Sequence, residues 1–204
     1  MKFLLSTLLI FFLSSFQVYS QWSLINPRPF EANINSSFFM NENIGWIACD
    51  HGEIYKTTDG GESWVFQITG STSRLFSIHF VNQNLGFCVG WNGIILKTTN
   101  GGNNWETKAD GLSYFLHSIY FIDEMHGWTV GYDGKIFYSS NGGENWTPQV
   151  SNVMSALIEV QFLDQKLGWA CRWNNGNSGN KIIKTTNGGS VWTTVYADTT
   201  YEYL

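Results

Sequence analysis

Basic residues are scarce in this sequence, and charge of either sign is low. Only 13% of the 204 residues are charged, and 11 lysines and arginines face 16 aspartates and glutamates, for a net charge of −5. Proteins that bind nucleic acid usually carry a basic stripe, so we expect no nucleic-acid partner. Only three prolines occur, and no charged block or low-complexity tract marks a linker, so we expect one domain.

Cysteine is also scarce, with residues only at Cys49, Cys88 and Cys171. An odd number leaves at least one thiol unpaired within the chain. We interpret the three as small apolar residues of strands. A disulfide between two of them stays open as an alternative, because exported proteins form disulfides.

Long hydrophobic runs are absent except at the N-terminus. There Lys2 precedes an apolar stretch from Phe3 to Phe16, and Val18-Tyr19-Ser20 offers small residues before Gln21. This pattern predicts a signal peptide over residues 1–20 and a protein that is secreted, extracellular or at the cell surface. A membrane anchor is the alternative, but a spanning helix needs about 20 apolar residues. We expect no membrane span in the mature chain.

Aromatic residues and glycine are abundant, and they repeat with a period of 41 residues. Internal repeats decide the fold before any local pattern does. The period is kept by a glycine followed by an aromatic residue, at Gly45-Trp46, Gly86-Phe87, Gly127-Trp128 and Gly168-Trp169. Five extra residues in the last unit fall in the polar segment 172–180, where a surface loop tolerates insertion.

Each unit has the pattern of four short strands joined by turns. In the second unit, strands are predicted over 75–80, 86–91 and 94–99, with a fourth opening at Trp105. Four-stranded units at this period predict an all-β fold, a β-propeller of antiparallel blades with almost no helix. A β-sandwich is the alternative, but it gives no reason for so regular a period. The repeat domain covers 21–204, with blades at about 33–70, 71–111, 112–150 and 151–197.

The most specific local motif is Ser/Thr-x-Asp/Asn-x-Gly-x-x-Trp, an Asp-box that occurs four times in register. The aspartate or asparagine side chain can accept hydrogen bonds from backbone N–H groups, and the serine or threonine hydroxyl can cap the same loop. The glycine can adopt the positive φ that a tight turn requires, and the tryptophan can bury its ring beneath the turn. We therefore interpret the motif as structural. Its residues are Thr57, Asp59, Gly61, Trp64; Thr98, Asn100, Gly102, Trp105; Ser139, Asn141, Gly143, Trp146; Thr185, Asn187, Gly189 and Trp192.

A cation site at Asp59 is the alternative reading of the Asp-box. Three of the four copies carry asparagine at this position, which lowers the charge that a metal ion needs. The four histidines show no zinc-ligand spacing either. We expect no metal and no cofactor.

These motifs resemble the BNR/Asp-box repeat families. The longer pattern that runs from Ser77-Ile78-His79-Phe80 through Gly90, Gly93 and Lys97 to Trp105 is similar to the photosystem II assembly and stability factor family. The resemblance covers residues 33 to about 192 and implies a β-propeller, commonly of about seven blades, of a type frequent in exported bacterial proteins. It does not imply the photosystem function. That family is thought to use an arginine patch, and only three arginines occur here.

The count of strands suggests an incomplete ring. A segment at 22–26, beginning at Trp22, looks like the outer strand of a preceding blade, whereas the last blade has its own outer strand after Trp192. We therefore expect an open arc or part of a longer propeller. The alternative is a closed four-bladed ring. An open arc would expose two blade faces and is expected to self-associate.

Asp-boxes also occur in sialidases, so a sialidase-like glycoside hydrolase is the alternative function. Arg28, Arg74 and Arg172 match the number of arginines in such a site, and Glu159 lies on a predicted inner strand. No spacing ties these residues together, and no nucleophile elbow or phosphate loop is present. We assign no catalytic residue and expect a protein that is not an enzyme.

The turn between the second and third strands is the candidate binding surface. A propeller displays one repeat position on one face, and aromatic rings beside polar groups suit a sugar or a protein loop. We therefore expect a binding or scaffolding module for a protein or carbohydrate ligand. The alternative is that these rings only cover the blade edge. The candidate residues are Asp50, His51, Trp91, Asn92, Tyr132, Asp133, Arg172 and Trp173.

Overall fold

The predicted all-β class is confirmed. The computed structural model describes residues 32–111, 113–172 and 180–197, and these contain sixteen strands in four antiparallel sheets of four. In each sheet the strands pair in chain order, as a propeller blade requires. The only helical elements in this part of the chain are three three-residue 3₁₀ turns. The predicted signal peptide at 1–20 and the extra strand at 22–26 lie outside the described residues.

The strands follow the repeat closely. The first blade contains β1 Ile34–Phe39, β2 Gly45–Cys49, β3 Ile54–Thr57 and β4 Val65–Gln67. The second contains β5 Leu75–Phe80, β6 Gly86–Gly90, β7 Ile95–Thr98 and β8 Glu106–Ala109. The third contains β9 Leu116–Phe121, β10 Gly127–Gly131, β11 Ile136–Ser139 and β12 Thr147–Gln149. The fourth contains β13 Leu157–Phe162, β14 Gly168–Arg172, β15 Lys181–Thr185 and β16 Thr193–Ala197.

A side-chain-capped turn joins the first two strands of every blade. In the first blade, Asn41 Oδ1 accepts the backbone N–H groups of Asn43 and Ile44, both at 2.9 Å. The turn fixes the hairpin because a short acceptor side chain satisfies two backbone donors at once. The same arrangement recurs every 41 residues, at Asn41, Asn82, Asp123 and Asp164.

The blades form an open arc. The first strands β1, β5, β9 and β13 lie side by side, and each blade also packs its second strand on the first strand of the next blade. Among the described residues, no such packing joins the last blade to the first. The expectation of an open or partial propeller is therefore confirmed for this part of the chain.

Aromatic rings form the core between blades. A ring on the second strand of one blade stacks on a phenylalanine from the first strand of the next, with centroids 3.5–3.7 Å apart. The Asp-box tryptophan of that next blade then meets the same phenylalanine edge-on, at 5.8–5.9 Å. Such large buried rings contribute much of the free energy that holds neighbouring blades together. The stacked pairs are Trp46–Phe80, Phe87–Phe121 and Trp128–Phe162.

The three cysteines are free thiols, so no disulfide joins them. Burial raises the pKa of Cys49 to about 12, and it also raises the pKa of Cys88. Both side chains pack in the blade core as small apolar residues.

Among the described residues, no helix has the length and apolar character to cross a membrane.

Candidate functional site

The turns between second and third strands lie together at one end of the blades. Each is a 3₁₀ turn of three residues: Asp50–Gly52, Trp91–Gly93 and Tyr132–Gly134. The backbone N–H of Trp91 donates to the carbonyl of Arg74, and that of Tyr132 donates to the carbonyl of Phe115, both at 2.9 Å. Each turn is thus tied to the segment that leads into the first strand of its own blade. We call this end of the arc the turn face.

An aromatic cluster spans two blades of the turn face. The rings of Trp91 and Phe115 are stacked with centroids 5.2 Å apart, and Phe115 meets Tyr132 at 5.8 Å. Trp91 is 42% exposed and Tyr132 is 47% exposed, so both rings keep a face open to a ligand. The structure thus brings together two of the predicted residues through Phe115, which the sequence did not indicate.

A polar network lies on the same turn face, between the first two blades. The carboxylate of Asp50 accepts hydrogen bonds from the amides of Asn35 (2.8 Å) and Asn33 (3.0 Å). The Nε atom of Arg74 lies 2.6 Å from Asp50 Oδ1, off the N–H axis, so the contact is an ion pair rather than an aligned hydrogen bond. The hydrogen bonds from Asn35 and Asn33, with the charge of Arg74 adding to them, lower the pKa of Asp50.

The inner surface of the arc continues this network. The Arg74 guanidinium lies 5.3 Å from the centroid of the Phe76 ring, and Phe76 meets the ring of His117 at 5.2 Å. Arg74 therefore contacts both a carboxylate and an aromatic face, which is a common role for the planar guanidinium. Burial lowers the pKa of His117.

The other predicted binding residues are placed less closely together. His51, Asn92 and Asp133 are the exposed middle residues of the three turns, with φ between 53° and 60°, a region that asparagine and aspartate tolerate well. No side-chain hydrogen bond or ion pair joins them to a neighbouring turn in the described part of the chain. Arg172 ends β14 in the fourth blade, and Trp173 lies outside the described residues.

The Asp-boxes form the turns between third and fourth strands, at the opposite end of the blades from the turn face. In the second blade, Thr98 Oγ1 accepts the N–H of Gly102 at 2.9 Å and donates to Asn100 Oδ1, which accepts the N–H of Asn104. The N–H of Gly101 donates to the carbonyl of Asn84, so the box is fastened to the first hairpin of its blade. All four boxes repeat these bonds, with serine replacing threonine at Ser139.

The one Asp-box aspartate uses its carboxylate within the turn. Asp59 accepts the hydroxyl and the backbone N–H of Ser63 and the hydroxyl of Thr57, and these hydrogen bonds lower its pKa to about 2. Within residues 32–111, 113–172 and 180–197, no group of three or more His, Cys, Asp or Glu side chains gathers as metal ligands would.

A cavity of about 250 Å³ lies between the second and third blades. Apolar side chains, including Leu116, Phe137 and Trp146, form much of its wall. Glu144, from the third Asp-box, is held by two lysines of the second blade, with 2.7 Å to Lys97 Nζ and 2.9 Å to Lys108 Nζ. This ion pair fastens one blade to the next.

Among the described residues of the alternative hydrolase site, Glu159 forms no ion pair with either arginine. Glu159 is exposed on β13 and accepts the hydroxyl of Ser118 at 3.1 Å, whereas Arg74 is committed to Asp50. No ion pair among the described residues joins Glu159 to Arg74 or Arg172. Arg28 lies outside the described residues.

The blades, their stacked cores and their Asp-box turns define a BNR-type β-propeller array. Residues 14–110 match the model of a family described as Photosynthesis system II assembly factor YCF48, which confirms the resemblance predicted from the repeat. Comparison of the sequence with curated proteins gives no significant match.

Solved structures show the same fold. A structure of YCF48 bound to D1 peptide is 22% identical, with 81% of this chain and 55% of that one covered and a TM-score of 0.66. YCF48 from Cyanidioschyzon merolae is 21% identical, with 85% of this chain and 59% of that one covered and a TM-score of 0.66. A GH74 enzyme from Niastella koreensis is 15% identical, with 79% of this chain and 30% of that one covered and a TM-score of 0.65. The chain thus spans little more than half the length of the two YCF48 structures.

Proposed function

We propose that this chain is a secreted, non-catalytic binding module whose turn face holds an extended segment of another protein. The observation that carries the proposal is the cluster of Trp91, Phe115 and Tyr132 across two blades, in which Trp91 and Tyr132 are exposed and Phe115 is half-buried. Rigid aromatic rings of this kind provide most of the binding energy at protein interfaces, because they bury a large area at low entropic cost.

The polar network favours a peptide over a sugar. Asp50 and Arg74 are already fixed by Asn33 and Asn35, so they present charges of both signs without further ordering. A peptide that lies across the face can set side chains on the rings and polar groups on this network. One of the similar structures, YCF48, is described as bound to a D1 peptide, and its likeness in fold supports a protein ligand here.

Secretion is the second part of the proposal and rests on the N-terminal pattern described above. The position of Lys2 and the apolar run after it predict export, and the mature protein would meet its partner outside the cytoplasm. N-terminal sequencing of the protein recovered from a bacterial culture medium tests this directly. A mature terminus at Gln21 is expected, and retention of residues 1–20 inside the cell would contradict export.

The binding proposal is tested by peptide selection and calorimetry. Displayed peptides would be selected against the protein, and the affinity of the best one measured for the parent and for Trp91→Ala and Tyr132→Ala. Each substitution should weaken binding by about tenfold or more, because each removes an exposed anchor ring. Phe66→Ala is the matched control, since this ring is 51% exposed but lies on the outer strand β4.

Two results would overturn the binding proposal. One is a selection that yields no peptide sensitive to Trp91 or Tyr132. The other is release of a fluorescent aglycone from a sialoside or a β-glucan oligosaccharide in a way that Glu159→Gln abolishes, because hydrolysis of this kind depends on a carboxyl group. That result would support a glycoside hydrolase instead.

A further inference from the structure

The cavity between the second and third blades lies where a glutamine stands at the two neighbouring junctions. Gln67 in the first blade and Gln149 in the third hold this position on the outer strand, each opposite an isoleucine of the third strand. The second blade has Ala109 there, because a register shift in β8 makes Lys108 the extra residue of a bulge. Lys108 pairs with Glu144 instead. The short alanine side chain therefore leaves a cavity of about 250 Å³ beside it.

Where the glutamine is present, it reaches the Asp-box of the next blade. Gln149 Nε2 donates to the carbonyl of Gly188 at 2.9 Å, and its Oε1 accepts the indole N–H of Trp192 at 3.2 Å. Gln67 also lies against the next Asp-box, since a Cβ at Gly102 would be 3.0 Å from its Oε1. A carboxamide group thus fills the equivalent space at both neighbouring junctions.

The carbonyl of Gly142, in the third Asp-box, has none of the hydrogen-bond donors that its equivalents have. At both neighbouring junctions the equivalent carbonyl accepts two side-chain donors from the preceding blade, at 2.9–3.2 Å. These donors are Trp46 and Lys56 on Gly101, and Trp128 and Gln149 on Gly188. Gly142 is buried, and its carbonyl accepts no hydrogen bond from any described residue.

Each of the usual donors is missing at this junction for an identifiable reason. Phe87 stands where the other three blades have tryptophan, so no indole N–H is present. Ala109 replaces the glutamine amide. Lys97, at the repeat position of Lys56, donates to Glu144 at 2.7 Å instead. A buried acceptor without a donor is costly, so a bound molecule that supplies an N–H group is favoured here.

The walls of the cavity suit a flat apolar ring. Tyr114 and Phe137 are stacked with centroids 5.5 Å apart, and the ring of Trp146 also lines the cavity. A buried apolar cavity of about 150 Å³ is enough to hold benzene, so this one has room for a substituted ring. Glu144 is half-exposed where the cavity opens to solvent, and its charge is balanced by Lys108 at 2.9 Å. The site therefore favours a neutral molecule over an ion.

We propose that this cavity binds a small neutral molecule with one aromatic ring and a primary carboxamide. The ring lies against Tyr114, Phe137 and Trp146. The carboxamide takes the place of the missing glutamine amide and donates an N–H to the carbonyl of Gly142. This site is separate from the turn face, because the cavity shares no lining residue with the aromatic cluster proposed to hold a peptide.

Benzamide and acetophenone are the probes, because they have nearly the same shape and only benzamide carries N–H donors. Titration of the ¹⁵N-labelled full chain, followed by NMR, gives both dissociation constants. Benzamide should bind about fivefold more tightly, as one net hydrogen bond predicts. The indole N–H signal of Trp146 should shift on binding. The signal of Trp192 should not, because Gln149 fills the equivalent space beside it.

Two variants test the cavity and the carbonyl separately. Ala109→Gln should weaken benzamide binding by about tenfold or more, because the side chain found at the neighbouring junctions then fills the cavity. Thr107→Gln is the matched control, since this exposed residue lies on the same strand and does not line the cavity. Phe87→Trp should remove the preference for benzamide over acetophenone, because its indole N–H then occupies the carbonyl of Gly142.

Three results would overturn the proposal: no binding of benzamide at millimolar concentrations, equal affinities for benzamide and acetophenone, or full affinity in Ala109→Gln. Leu112 lies outside the described residues, so Leu112→Ala is measured as well. Benzamide binding that occurs only in this variant would show that the chain's own side chain fills the cavity, and would also overturn the proposal. Circular dichroism of each variant shows that the blades remain folded.

Discussion

The indole of Trp128 in the third blade stacks on the ring of Phe162 in the fourth, with centroids 3.5 Å apart and planes 10° from parallel. Both rings are at most 1% exposed. The Nε1–H of Trp128 also donates to the carbonyl of Gly188, in the Asp-box of the fourth blade, at 3.2 Å. One side chain thus joins the second strand of a blade to both the first strand and the Asp-box of the next.

Replacing Trp128 with alanine should destabilise the protein strongly. The change removes a fully buried ring and leaves a cavity, which costs about 3–5 kcal/mol in the free energy of unfolding. Urea unfolding followed by tryptophan fluorescence measures the loss. Trp91→Ala, a truncation of an exposed indole, should cost less than about 1.5 kcal/mol. Equal losses for the two variants would contradict the stacked-core account.

The hydroxyl of the Asp-box should contribute to stability independently of the rest of the side chain. Thr98 Oγ1 accepts the N–H of Gly102, which has no other acceptor in this buried turn. Thr98→Ala should therefore cost about 1–3 kcal/mol, since a buried donor is left unsatisfied. Thr98→Ser keeps the oxygen, as Ser139 does in the third box, and should cost less than about 1 kcal/mol. Similar unfolding midpoints for Thr98→Ala and Thr98→Ser would show that the Thr98 hydroxyl does not contribute to stability.

Gly131 should control the position of the aromatic cluster. A Cβ at this residue would lie 1.9 Å from the carbonyl oxygen of Phe115, so alanine must push the Phe115 segment away from Tyr132. We expect Gly131→Ala to weaken peptide binding by about tenfold and to cost about 1–3 kcal/mol of stability. Gly111→Ala is the control, because its Cβ would meet nothing within 4 Å. The φ of 73° at Gly111 strains an alanine there, so this variant should lose some stability but keep its affinity for the peptide. If Gly131→Ala binds the peptide as tightly as the parent protein does, Phe115 is not part of the binding site.

Stability should fall at mildly acidic pH because of His79. Its ring packs between Phe38 and Tyr120 and contacts the carbonyl of Phe121 at 3.0 Å, and burial lowers its pKa below the ordinary 6.5. Well above pH 6.5 the His79 ring is neutral in both the folded and the unfolded protein, and it contributes fully to the free energy of unfolding. As the pH falls below that value, the unfolded chain binds a proton more readily than the folded one, and stability is lost down to the folded pKa.

The measurement for His79 is the unfolding free energy between mildly acidic and neutral pH. His79→Gln should flatten the dependence, because glutamine does not titrate and is the residue that the fourth blade has at this position, Gln161. His51→Gln replaces an exposed histidine and should leave the slope as it is. An unchanged slope for His79→Gln would show that other groups determine the acid dependence.

The fold could be predicted from the sequence because the chain repeats itself. A period of 41 residues located the blades, and glycine and asparagine located the turns within a residue or two. The first-hairpin turns at Asn41, Asn82, Asp123 and Asp164 carry the same period and were detectable. The stacking of Trp46 on Phe80 was not, because it depends on how one sheet lies against the next rather than on the pattern within a sheet.

The candidate site was predicted only in part. The repeat placed Trp91 and Tyr132 on one face, but their shared partner Phe115 lies in an irregular segment whose equivalents are Asn33 and Arg74. Three unlike residues at one repeat position give no pattern. The same holds for Arg74, whose pairing with Asp50 joins two blades and depends on the curvature of the arc.

Hydrogen exchange of the protein with and without its selected peptide tests the central claim most directly. If the turn face binds the peptide, backbone N–H groups in 91–93, 113–117 and 132–134 should exchange more slowly in the complex, and those of the Asp-box turns should not change. Protection at the Asp-box turns, or nowhere on the turn face, would contradict the account.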